Sequence, residues 1–145
     1  MKIDYDYLKA VLDFAQSSPT PSFNISDQMP HLWHKENTRS PDDEKLGKLI
    51  FHLELLADDR LIESVHNTTH GIGFGLTGDG QYVLSVIPLR LTSAGHDFIA
   101  SLNREGVLEQ MKSEFNNAGP GEIVKIAFSL GSKVLENKLQ KLLGE

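Results

Sequence analysis

The sequence contains no cysteine, which excludes disulfides, thiolate metal sites and thiol nucleophiles together. It also lacks any apolar run near the ~20 residues that span a bilayer, so no membrane partner is expected. The first sixteen residues interrupt their apolar positions with Asp4, Asp6 and Asp13, whereas a secretory signal needs a basic start and an unbroken apolar stretch. A cytoplasmic location is the expectation, and the missing cysteines agree with it. A basic excess is absent as well. The net charge is -6, although nucleic-acid-binding domains usually carry positive charge, because phosphate contacts supply most of their non-specific affinity. Residues 1–60 hold 7 basic and 11 acidic side chains, residues 61–96 hold 1 and 2, and residues 97–145 hold 6 and 7. No segment is basic, so any contact with DNA is expected to be a local patch.

What is present suits an ordinary globular chain. The 145 residues are 39% apolar and 23% charged, enough for one domain with a real core and outside the range of disordered chains. Leu8, Val11, Leu12 and Ala15 recur at helical spacing and predict an amphipathic helix over about 4–16. Pro19 and Pro21 end it. The stretch 23–37 is ambiguous, with Ser26 or Asp27 able to cap a short helix and Pro30 in its first turn. Ser40, Pro41, Asp42, Asp43 and Glu44 then supply an N-cap, a first-turn proline and carboxylates beside the positive helix end. Leu46, Leu49, Ile50, Leu53 and Leu56 follow at helical period, predicting a helix over about 42–58.

Between Ser64 and Leu91 the period changes. Ile72, Phe74 and Leu76 alternate with glycines, Thr77-Gly78-Asp79-Gly80 has turn chemistry, and 81–87 is rich in β-formers. The prediction is that Ser64–Ile87 forms an antiparallel hairpin turning near Gly78-Asp79. Pro88 ends it, and Thr92 caps a helix over about 93–103 that holds Phe98, Ile99 and Leu102. Val107, Leu108, Met111 and Phe115 mark another helical face, 116–121 is a loop, and a last helix covers about 122–143.

Helix, weak helix, helix, hairpin and further helices is the order of a winged helix-turn-helix, and two phrases look familiar. Residues 51–62, Phe-His-Leu-Glu-Leu-Leu-Ala-Asp-Asp-Arg-Leu-Ile, resemble the YHLELLxxAGLI phrase common in winged-helix proteins. Residues 88–98, from Pro88 through Arg90, Leu91 and Thr92 to Phe98, resemble the strand-to-helix phrase RLTxxGHxF. Together with the first helix and the long C-terminal helices, the chain resembles the bacterial and prophage family filed as domain of unknown function 2513. Asp59-Arg60 replaces the usual Ala-Gly, Ser93 stands where an aromatic is common, and the hairpin is unusually glycine-rich. The resemblance implies a winged helix and no assigned activity, and fold alone does not give function. The expected architecture is mainly α with a small β-hairpin: a winged-helix domain over 1–103 and a helical extension over 104–145.

Motifs with chemical meaning are weak. Residues 73–78 match G-x-G-x-x-G, but a dinucleotide site needs a helix after those glycines, and here a strand follows. His31 with His34, and His66 with His70, have ligand-like spacing but no third ligand converging with them, so no metal and no cofactor is expected. No serine sits in a nucleophile elbow. Asp42, Asp43 and Glu44 are better explained as partners of the helix dipole than as a catalytic cluster. Gly95 is read as permitting close backbone approach to the hairpin, and His96 as satisfying a local hydrogen bond. No enzyme activity is expected.

The helix over 42–58 occupies the position that would enter a major groove. Lys45, Lys48 and His52 read as a stripe opposite its apolar face, and with Arg90 they are the candidate DNA contacts. Against that, residues 41–60 hold three basic side chains and six acidic ones. The last helix spreads Ile123, Val124, Ile126, Ala127, Phe128, Leu130, Val134 and Leu135 over roughly 200°, more than the ~100° a surface helix needs. Such a helix must bury two sides, so a homodimer is expected, with Phe128, Leu130, Val134 and Leu135 as interface candidates. The leading functional expectation is a small DNA-binding regulator of prophage or mobile-element type. The alternative is a protein–protein interaction module on the same scaffold, using an acidic face.

Overall fold

The structure is a computed structural model that describes residues 1–25, 44–66, 71–76, 78, 82–84 and 87–144. The expected weak helix near 26–37 and the Ser40-Pro41 helix start lie outside these residues. Among those described, the chain is mainly helical, with short antiparallel β-pairs between its second and third helices.

Helix α1 spans Tyr5–Gln16, where Asp4 supplies the N-cap by accepting the Tyr7 N–H at 3.0 Å. Its buried face is Tyr5, Leu8, Val11, Leu12 and Ala15, the periodic set expected from the sequence plus the tyrosine one turn earlier. Tyr5 donates its hydroxyl to the Phe115 carbonyl at 2.8 Å, so its polar tip is satisfied although its ring is buried. Helix α2 spans Glu44–Asp58 and buries Leu46, Leu49, Ile50, Leu53 and Leu56, and with them His52.

The end of α2 is a Schellman motif. Leu61 N–H reaches the Leu56 carbonyl at 2.8 Å and Arg60 N–H the Ala57 carbonyl at 3.0 Å. Such a motif needs a left-handed residue, usually glycine, and here Arg60 holds φ 58°. The turn that follows α2 is thus made with arginine rather than the usual glycine.

Strand β1 (Ile62–Ser64) pairs antiparallel with β4 (Leu89–Leu91), and β2 (Phe74–Leu76) with β3 (Tyr82–Leu84). The β2–β3 register sets Phe74 opposite Leu84 and Leu76 opposite Tyr82, which centres the connection on residue 79. An antiparallel pair is therefore present inside the expected span, whereas Ser64 belongs to β1 and pairs with Leu89 beyond it. Apart from Gly78, the expected turn lies outside the described residues. On the other edge of β4, Phe23 and Leu89 exchange backbone hydrogen bonds at 2.7 and 2.9 Å. β4 thus lies between β1 and the chain at Phe23.

Helix α3 spans Ser93–Leu102. Thr92 caps it, accepting the Gly95 N–H at 3.0 Å while donating its hydroxyl to the Arg60 carbonyl at 2.7 Å. One side chain thereby joins the end of α2 to the start of α3. Helix α4 (Val107–Glu114) follows Gly106, whose φ of 81° makes the corner, and α5 (Pro120–Leu142) completes the chain. The core gathers Leu8 and Leu12 from α1, Leu49 and Leu53 from α2, Leu89 from β4, Phe98 and Ile99 from α3, and Met111 from α4. Each fully buried side chain of this size contributes roughly 1.5–3 kcal/mol, so the core alone explains why the helices converge. Among the described residues no helix is long and apolar enough to cross a membrane.

Candidate interaction surface

The outward side of α2 begins from its junction with α1. Asp4 makes three contacts there. Its carboxylate caps α1, as described, and takes an ion pair from Lys48 Nζ at 2.8 Å. Its backbone N–H donates to His52 Nε2 at 3.0 Å. A backbone N–H can only donate, so Nε2 carries no proton, and Nδ1–H donates to the Lys48 carbonyl at 2.7 Å. His52 is therefore held neutral, fully buried, with both ring nitrogens engaged. Burial lowers its pKa below the usual 6.5, outweighing the opposing pull of the Lys48 carbonyl and Asp4.

Lys48 lies 4.7 Å from the Tyr7 ring centroid, and the Tyr7 and His52 rings are 4.8 Å apart. Burial, with the Asp4 charge, pushes the Tyr7 phenol up to about 12. The Lys48 hydrogen bond holds the Asp4 carboxyl below its usual 3.8. The cluster is a structural joint whose groups face one another.

The four residues expected to contact DNA are thus differently placed. His52 does not share the surface stripe with the lysines. It follows Leu49 by three residues and precedes Leu56 by four, which puts it on the buried arc of the helix. Lys48 is half-exposed and paired with Asp4, and Arg90 pairs with Glu63, its cross-strand neighbour, at 2.6 Å. Lys45 is exposed at the first described turn of α2. Hence Lys45 and Lys48 share the surface of α2, and Arg90 stands apart on the β1–β4 ladder.

The stripe of α2 that faces out instead reads Glu44, Lys48, Phe51, Leu55 and Asp58, at spacings of four, three, four and three. Phe51 and Leu55 are half-buried and line a cleft of about 350 Å³ together with Met1, Lys2, Ile3, Ala118 and Pro120. Asn116 and Asn117 add amides to its rim. The volume lies at the lower end of the range for small-ligand sites. Sequence reasoning missed this cleft, since Phe51 and Leu55 looked like further members of a leucine-rich helix.

At the other end of the chain, α5 divides its apolar residues between two faces. Ile123, Ala127 and Gly131 are buried against the domain, and Leu130 and Val134 pack beside them. Phe128 meets Phe98 edge to face at 6.4 Å between centroids. A methyl group on Gly131 would stand 3.0 Å from the Ser101 side chain, so glycine permits the close approach of α3 and α5. From Leu135 to Gly144 every residue is exposed, Leu135, Leu139, Leu142 and Leu143 among them. Of the four residues expected at a dimer interface, Leu130 and Val134 face the chain's own core, whereas Phe128 and Leu135 lie at the boundary of the free face.

Among the described residues no three His, Asp or Glu side chains come together to hold a metal ion. Comparison of the chain with protein-family models, with curated proteins and with solved structures finds no match.

Proposed function

We infer that this chain is a winged-helix protein-interaction module whose docking surface is the outward stripe of α2 with the cleft beside it. The winged-helix reading is supported by the order of elements. Helix α1, the strand segment at Phe23, α2, β1, the β2–β3 hairpin and β4 follow one another, with β4 between β1 and Phe23. In that reading α2 holds the position that helix-turn-helix proteins present to the major groove, and the hairpin is the wing.

The observation that carries a protein partner is the placement of Phe51 and Leu55 at the centre of that outward stripe, beside an open apolar cleft. A groove-reading helix needs donors and positive charge there. This one centres on an aromatic and a leucine, with Glu44, Glu54 and Asp58 exposed around them against Lys45 and the Asp4-paired Lys48. Carboxylates at those positions repel phosphate. Apolar anchors ringed by polar residues are the anatomy of a protein-binding hot spot. The ion pairs of Lys48 and Arg90 decide less, because an exposed pair is worth about 0–1 kcal/mol and phosphate competes with it readily.

A DNA-binding regulator of prophage type is the second reading. It is favoured by exposed Lys45 one turn from Lys48 on the same helix. Titration of a labelled mixed-sequence duplex at about 50 mM salt, where electrostatic binding is strongest, separates the two. The interaction-module reading expects no saturable binding at tens of micromolar protein. Binding that weakens steeply with salt and is lost in the Lys45→Ala/Lys48→Ala variant would overturn it in favour of DNA.

A further inference from the structure

The C-terminal half of α5 leaves the domain with an unpartnered leucine stripe. Leu135, Leu139 and Leu142 are spaced four and three apart, and Phe128 lies one further double turn N-terminal on the same line. Val124, half-buried, extends that line to the start of the helix. The line therefore runs over both halves of α5, with Val124 and Phe128 packed on one side against the core and half-exposed on the other, while Ile123, Ala127 and Gly131 are buried on the neighbouring face.

The charges beside the stripe identify what covers it. Lys125 and Glu136 are both exposed, and neither forms an ion pair among the described residues. Eleven residues separate them, three turns to within about 20°, so they stand on the same flank of the stripe and roughly 16 Å apart along the axis. That is too far for a bond within one helix. Two antiparallel helices related by a two-fold axis bring the same flank of each copy together. Lys125 of one copy then meets Glu136 of the other, and the axis generates the second pair.

The same register sets Leu135 against the second copy's Phe128 and Leu139 against its Val124. It brings Ser129 and Ser132 to the crossing point, where the surface of α5 is already hollowed between Phe128, Ser132 and Glu136. Leu142 falls at the start of the second copy's α5, beside the cleft walled by Ala118 and Pro120. A parallel pair matches neither charge.

We propose that the chain forms a two-fold dimer through antiparallel pairing of α5, fixed by reciprocal Lys125–Glu136 contacts and by leucines of each arm covering the start of the other's α5. Two facing helices of 23 residues bury on the order of 700 Å², taking each as ~34 Å by ~10 Å. A stable dimer buries about 1,200–2,000 Å². The association is accordingly weak and reversible. This proposal is argued from α5 alone, although Leu142 of the second copy comes to lie beside the cleft that adjoins α2.

Sedimentation equilibrium of the full chain between about 1 and 100 µM tests it, with circular dichroism confirming that each variant is folded. The wild type is expected to pass from monomer to dimer across that range. Lys125→Glu and Glu136→Lys, each placing like charges across both contacts, should weaken association at least tenfold. The double variant K125E/E136K should restore it to within about threefold of wild type, because the swap preserves the antiparallel match. A wild type still monomeric at 100 µM would overturn the dimer. A dimer insensitive to both reversals, or a double variant no better than the singles, would overturn the antiparallel register.

Discussion

The Nε2 atom of His52 accepts the backbone N–H of Asp4 at 3.0 Å, and this bond requires an imidazole without charge. Protonation would put two donors face to face inside a buried joint, next to the Lys48 ammonium. Because the native state holds the His52 pKa below 6.5 while the unfolded chain keeps the ordinary value, the unfolded chain binds the proton first as pH falls. The stabilisation is complete above about 6.5 and is lost as pH falls from there toward the native value. Urea unfolding at pH 7.5 and pH 5 should show the wild type less stable in acid. His52→Gln keeps an acceptor for Asp4 but does not titrate, so its loss between the two pH values should be smaller. Asp4, also lowered, contributes above 3.8 and is lost below it, outside that window.

The end of α2 makes a second prediction. Arg60 sits at φ 58°, a conformation that costs an L-residue about 1–2 kcal/mol and glycine very little. Arg60→Gly should raise stability by roughly 1 kcal/mol, less whatever glycine's extra freedom costs in the unfolded chain. Arg60→Ala, which keeps the Cβ, should not. Denaturation midpoints of the three proteins, at unchanged slope, measure the difference.

These two features mark where the sequence was and was not legible. Helical spacing located α1, α2 and α3, and the glycine-rich alternation located the hairpin, because in each case a buried face imposes its own period. Thr92 was recognisable as a cap by residue type and position. His52 was not legible as a core residue, since its partner is a backbone N–H 48 residues away and polarity alone places an imidazole outside. Its spacing from Leu49 and Leu56 was the available signal. Asp4 was equally hidden among the other acids of the first helix. In α5 the density of apolar residues implied two buried sides, and the structure buries one of them, through Ile123, Ala127 and Gly131. Which residue served which side depended on where α3 lies, and pattern does not contain that. The free leucines beyond Leu135 were overlooked because lysines interleave with them.

Close approach makes a third prediction. A Cβ at Gly95 would lie 2.2 Å from the Leu61 carbonyl oxygen, a backbone atom with no room to move, since Thr92 N–H donates to the same oxygen at 3.0 Å. Gly95→Ala should destabilise by about 3 kcal/mol, the upper end for overpacking. Gly131→Ala meets Ser101 at 3.0 Å, a looser contact between two helices, and alanine's better helix propensity offsets it by up to about 1 kcal/mol. Its net cost should be clearly smaller. Thermal unfolding of the two variants side by side checks the order.

The claim that the outward stripe of α2 docks a protein is tested most directly by placing a photoreactive phenylalanine analogue at position 51 and irradiating the cells that make the chain. Phe51 is half-exposed at the edge of the cleft, so the analogue replaces a ring with a ring and faces whatever binds there. The account predicts one or a few discrete heavier protein adducts, distinct from the self-adduct of two chains, that disappear when Leu55→Asp is added. Adducts that contain nucleic acid, or no adduct beyond the chain itself, would contradict it.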